Sequence, residues 1–176
     1  MNTIEKIESI ITEYPICEYC FGNTSQIPFS DKVLFICETD CTRYKHCWAC
    51  PPHAGSIHDN IQKCHTYEHF LLFSTVTEVS DSWNTEVCLE AKKAHEALTR
   101  ELRVQIEESV PSIYMLSTGC AICDVCACPE EPCRHPEERL MSTESHGIVL
   151  MQLVEEMGLC FNYGSDIAVY FSMVLF

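Results

Sequence analysis

Residues 113–136 read IYMLSTGCAICDVCACPEEPCRHP. Ile113 to Leu116 is β-branched, aromatic and apolar, which predicts a strand, and Gly119 marks the turn where it ends. The chain then runs into its densest group of cysteines, Cys120, Cys123, Cys126, Cys128 and Cys133. A strand that empties into a ligand-rich loop and is followed by a helical pattern is the building unit of an α/β fold.

Working outward, residues Ser142 to Met157 predict a helix, and Ile167 to Leu175 predicts a strand apolar enough to sit inside a sheet. Upstream, Asn84 to Glu108 repeats apolar residues at Val87, Ala91, Ala94, Leu98 and Leu102, the stripe of a long surface helix that Pro111 closes. His69 to Val76 predicts another strand, and Ser56 to His65 a helix. Lys32 to Ile36 predicts a strand that runs into Cys37, Cys41, Cys47 and Cys50, with Pro51 and Pro52 ending the loop. Ile4 to Tyr14 places Ile4, Ile7, Ile10 and Ile11 on one helical face, with Asn2 as cap, Glu5 three residues later and Pro15 as stop. The expected architecture is therefore α/β: one domain over residues 1–176, with about four strands in a mostly parallel or mixed sheet and helices packed on it. Both cysteine loops would follow strand ends and share one sheet edge, where open α/β folds place their ligands.

The chain of 176 residues is 47% hydrophobic and 10% aromatic, ample for a packed core without metal. Eleven Lys and Arg stand against 26 Asp and Glu, a formal charge of −15. That balance disfavours nucleic acid and anionic membrane as partners, and suits a solvated surface or docking to a basic redox protein. Charges interrupt the apolar residues of MNTIEKIESIITEYP, so no secretory signal is expected there. No apolar run reaches the length of a membrane span. The expected location is cytoplasmic, where the 14 cysteines stay reduced and a dense group of them binds metal rather than forming bridges.

Cys120, Cys123 and Cys126 are separated by two residues each, a spacing that wraps a tight loop around a [4Fe–4S] cubane. The bacterial ferredoxin pattern puts the next cysteine after three more residues, before proline, and here that position is Glu130. The fourth ligand is then Cys128 or Cys133. Cys133 is favoured because Cys128 follows Cys126 too closely to reach the same cube, which leaves Cys128 for a neighbouring cluster. Zinc held by four of these thiolates is the competing reading, although zinc sites more often use two separated pairs. In the earlier loop, CETDCTRYKHCWACPPH, four thiolates would complete a second cluster, and three would leave one iron open to a substrate. Cys17 and Cys20 form an isolated Cys-x-x-Cys pair, while Cys64, Cys88 and Cys160 read as buried small hydrophobes. His53 and His135 neighbour the cysteine motifs, and Arg134 suits charge compensation beside an anionic cluster. No glycine pattern for cradling phosphate is present.

Cys41 followed by Tyr44, the triplet Cys50-Pro51-Pro52, the run Gly119 to Pro136 and the segment Ser142-Thr143-Glu144-Ser145-His146-Gly147 together resemble a family of cysteine-rich predicted metal-binding proteins grouped as a domain of unknown function. The resemblance spans most of the chain from Cys37 onward. It implies Cys37, Cys41 and Cys50 as one ligand set and Cys120, Cys123, Cys126 and Cys133 as the other. Cys47 and Cys128 fall outside that pattern as further possible ligands. Thr143 and Ser145 stand where the family usually has Met and Ala.

These readings lead to an electron carrier with one or two [4Fe–4S] clusters and a protein redox partner. An iron–sulfur enzyme with an open iron, using Glu144 or His53 as proton donor, is the second class. A zinc-stabilised interaction module is the third.

Overall fold

Phe70, Leu71, Leu72 and Phe73 are all fully buried, as are Met173, Val174 and Leu175. A strand apolar at every position must be covered on both faces, and each buried Leu or Phe contributes about 2 kcal/mol of transfer free energy. The computed structural model describes residues 1–176. In it these runs form β2 (His69–Glu78) and β5 (Ile167–Leu175), paired antiparallel at the centre of a five-stranded sheet. With β1 (Glu18–Asn23), β3 (Tyr114–Ser117) and β4 (Met141–Ser142), the order is β1-β2-β5-β3-β4.

One face of the sheet carries α1 (Thr3–Ile11) and α4 (Leu89–Ser109), whose Ile7, Ile11, Leu102 and Ile106 pack on Leu71, Phe73, Met115 and Val174. The other face carries α3 (Ile57–Cys64) and α5 (Leu150–Glu156), where Cys64, Leu153 and Val154 meet Phe70, Leu72, Leu116 and Phe171. The expected α/β class holds, with a mixed sheet. Only β3 and β4 run parallel; the other three pairings are antiparallel. No helix is long and apolar enough to cross a membrane.

The capping box at Asn2 and Glu5 starts α1 as its sequence predicts. Four expectations need correction. Lys32 to Ile36 is not a strand: the segment forms α2 (Val33–Asp40), so the first cysteine group begins inside a helix. A five-residue apolar run fits either period, and here it has no strand to pair with, leaving Phe35 67% and Ile36 61% exposed. A fifth strand, β1, which sequence reading did not single out, pairs with β2; its Tyr19 and Phe21 face one core and Cys20 the other.

The long helix begins at Leu89 rather than near Asn84, because the Asn84 side chain accepts from the Glu86 and Val87 amides and closes a local turn instead. Its buried residues are Ala91, His95, Glu96, Thr99, Leu102 and Ile106, while Val87 and Ala94 face outward. The last helix likewise starts at Leu150, not Ser142. Ser142 and Ser145 hydrogen-bond each other's backbone, and Gly147 turns the chain with φ 66°. A Cβ at Gly147 would lie 3.1 Å from both Ile57 and the Ser30 carbonyl, so the turn needs glycine twice over.

Under α4 the core is polar. His95 bonds Ser172 and Thr75, each at 2.8 Å, and Ser172 reaches Ser117 at 2.6 Å and Thr99 at 3.1 Å. Mutual satisfaction makes this burial tolerable. Burial also pushes the His95 pKa down to about 4.

Candidate metal centre

Thr118 is the residue through which the cysteine-rich segment leaves β3, and α4 clamps it from two successive turns. The Thr118 amide and hydroxyl donate to Glu96 Oε1 at 3.2 and 2.9 Å, while Lys92 Nζ donates to the Thr118 carbonyl at 3.1 Å. Glu96 is fully buried, and burial raises its pKa. Gly119 follows with φ 85°, and a Cβ there would sit 3.0 Å from Cys50 Sγ. The second loop thus begins against the first.

From that point residues 120–136 run without regular secondary structure and are held by side chains. Arg43 donates to the Cys120 carbonyl, Trp48 Nε1 to the Glu131 carbonyl at 3.0 Å, and Arg134 to the Val125 carbonyl. The Cys128 thiol donates to the Lys45 carbonyl at 3.6 Å, and the Ser142 amide donates to the Ala49 carbonyl at 3.0 Å. Every one of these bonds except that of Arg134 joins the 41–50 segment to the later loop or its return strand. The two cysteine segments are one structural unit.

Within it, Cys120, Cys123, Cys126 and Cys133 line a single small cavity together with Trp48, Arg134 and Arg139. The cavity encloses about 20 Å³, space for one water-sized body. Across the chain no three His, Cys, Asp or Glu side chains converge to metal-bonding range. Binding would therefore draw the thiols together, as in sites that are completed by their metal.

Cys47 and Cys50 lie side by side on the turn before Pro51, with the Cys50 amide bonded to the Cys47 carbonyl at 3.1 Å. The Cys50 thiol, then the Arg43 guanidinium 3.4 Å from Cys47 Sγ, hold the Cys47 pKa far below the usual thiol range. Cys50 is correspondingly pushed up. Cys37 is buried on α2, and Cys41 is exposed at the end of that helix. Burial, then the charges of Glu144 and Cys41, push the Cys37 pKa up to about 11. The structure thus groups Cys50 with Cys47 and Gly119, and Cys37 with Cys41 and Glu144. Cys128 is buried beneath the 41–50 turn.

The remaining cysteines lie elsewhere. Cys20 is on β1, Cys64 is in the core beneath α3, Cys88 is buried at the start of α4, and Cys17 donates to the Tyr163 hydroxyl at 3.6 Å; Cys160, expected to be buried, is only half-buried and donates to the Asn162 carbonyl at 3.2 Å. His53 packs edge-on against Trp48, and His135 bonds Glu138 at 3.1 Å. Arg43, Lys92, Glu96, Trp48 and Arg139 are site residues that sequence reasoning did not single out. Arg43, one turn before Cys47, could have been noticed by spacing. Lys92 and Glu96 could not, since nothing local ties them to a loop over 20 residues away.

Residues 23–176 match the profile of predicted metal-binding proteins DUF2284. The chain belongs to this family. Both cysteine segments fall inside the matched region, whereas α1 and nearly all of β1 precede it. No curated protein and no solved structure matches the chain.

The donor set fits the metal binding that the family name describes. Soft thiolates suit iron–sulfur clusters or zinc, and either would bring net negative charge into the site. Arg43, Lys92, Arg134 and Arg139 surround the thiols in a chain whose overall charge is −15. Burial, together with the charge of Arg43, lowers the Lys92 pKa, a cost that an anionic centre nearby would offset.

Proposed function

We propose that this protein is an electron carrier whose Cys120, Cys123, Cys126 and Cys133 hold a [4Fe–4S] cluster. The observation that carries the reading is that these four thiols, spaced as a cubane-binding run, line one cavity with arginines in its wall. Bound there, the cluster supplies reversible one-electron chemistry. The chain's own residues do the rest. Glu96 and Lys92 fix the loop at Thr118, Trp48 covers the cavity, and Arg43 and Arg139 offset its negative charge.

Cys37, Cys41 and Cys50 would hold a second cluster, with Cys47 and Cys128 within the same unit as further ligands. Phe35 and Ile36, exposed on α2 next to Cys37, support docking of a protein redox partner at this end. All 14 cysteines are free thiols, which suits a cytoplasmic setting.

One observation favours a second reading. A cavity of about 20 Å³ accommodates a single ion more readily than a cube, so a zinc-stabilised module follows if the loop does not open. Cys123→Ser separates the two. In a carrier it removes one cluster's iron and sulfide together and leaves the second cluster reducible. In a zinc module it releases zinc, and the protein has no visible absorption before or after substitution.

A further inference from the structure

In a chain with only 11 Lys and Arg, three of them line one cavity outside the cysteine cluster. Lys63 comes from α3, Arg103 from α4 and Arg139 from the segment leading into β4, and they enclose about 170 Å³ with Tyr114 and Glu107. Of the three, only Arg103 forms an ion pair, a loose one at 3.8 Å to Glu107. Arg103 Nε makes that contact, beyond hydrogen-bond reach, and neither it nor Arg139 Nε has a hydrogen-bond partner. Lys63 and Arg139 have no carboxylate partner, and Glu107 is the one acidic side chain in the lining, so the cavity lacks an anionic partner for its cations.

The neighbouring groups cannot fill that role. The Tyr114 hydroxyl is taken up by His146 Nε2 at 2.8 Å, and its ring lies under Lys63 Nζ at 3.5 Å. Arg103 Nη2 is already tied to the Glu137 carbonyl at 2.5 Å, which fixes the guanidinium in place. With Glu107 counted, the cavity carries a surplus of positive charge, and the ligand it lacks must bring oxygen acceptors and negative charge. Guanidinium groups match carboxylate and phosphate oxygens in pairs. The volume falls below that of pockets for drug-sized molecules, so the ligand is small.

We propose that this cavity is a binding site for a small oxyanion, a carboxylate or phosphate group, held by Arg103, Arg139 and Lys63. Arg139 also forms part of the wall of the cavity lined by Cys120 and Cys133. The oxyanion site therefore adjoins the proposed metal site and shares Arg139 with it while using none of its thiols.

Calorimetric titration of the full-length, anaerobically purified protein with inorganic phosphate and, separately, with succinate tests the proposal. Saturable one-to-one binding of at least one probe is expected. Arg103→Gln and Arg139→Gln should each weaken it about tenfold or more, the loss of one charge-assisted bond. Lys6→Gln, on α1 and away from the cavity, should leave it unchanged. Phosphate binding without succinate binding, or the reverse, assigns the oxyanion type. The proposal is overturned if neither probe binds in the millimolar range, or if binding is equally weakened by Lys6→Gln and so reflects overall charge. Should Arg139→Gln fail to fold, Arg103→Gln and Lys63→Gln carry the same comparison. Metal analysis of the same samples separates this outcome from failure of the metal assignment.

Discussion

Replacing Glu96 is the perturbation that most directly connects the fold to the cysteine loops. Glu96 is fully buried, accepts two hydrogen bonds from Thr118 through Oε1, and lies 3.8 Å from the Arg100 guanidinium. Glu96→Ala removes a carboxylate that receives charge-assisted bonds of roughly 1.5–3 kcal/mol each. It also leaves the Thr118 amide, Lys92 and Arg100 without their counter-charge, so a net loss of about 3–5 kcal/mol is expected, the range for breaking a buried pair. Glu96→Gln keeps an acceptor at Oε1 and gives up only the charge, for a loss nearer 1–2 kcal/mol. Urea denaturation reads both values from midpoint shifts at constant slope. Metal content should fall in the same order, since Thr118 sets the start of the Cys120 loop. Alanine and glutamine variants of equal stability, or an alanine variant within about 1 kcal/mol of the parent, would refute the clamp.

Three further outcomes follow. Burial pulls His95 and His146 from 6.5 to about 4. The unfolded chain then binds more protons than the folded one between those values, so stability is complete above pH 6.5 and falls as pH drops toward 4. The loss is on the order of 3 kcal/mol per histidine and should be halved in a His95→Gln variant that still folds, as read by denaturant midpoints across that pH range. Arg43→Met should weaken metal retention by about 10- to 100-fold in a chelator competition, as loss of a supporting contact does; unchanged retention would remove Arg43 from the site. Gly119→Ala should cost clearly more stability than Gly158→Ala. Both glycines have positive φ, but only Gly119 has a sulfur 3.0 Å from a new Cβ, whereas Gly158 has nothing within 4 Å.

The central strands were legible because β2 and β5 are apolar on both faces, a pattern few other elements produce. The cap of α1 was legible for a different reason: its two bonds are local. Helix α2 was misread because Val33 to Cys37 is too short for its period to decide, and only the lack of a pairing strand resolves it. Polar residues within the buried stripe of α4 were equally unreadable, since His95 and Thr99 are satisfied by Ser172, over 70 positions away. The cysteine spacing marked a ligand loop in advance. What it could not show is that Ala49, Trp48 and Lys45 bind the two cysteine segments into one body, because those bonds depend on the crossover that returns the chain to β4, parallel to β3.

The most direct measurement of the central claim is metal and acid-labile sulfide analysis, with a visible spectrum, of protein isolated under strict exclusion of oxygen. Iron and sulfide in equal amounts, with a broad absorption that bleaches on one-electron reduction, is the predicted result. Colourless protein that carries zinc or no metal, and takes up neither iron nor sulfide on anaerobic reconstitution, would contradict it.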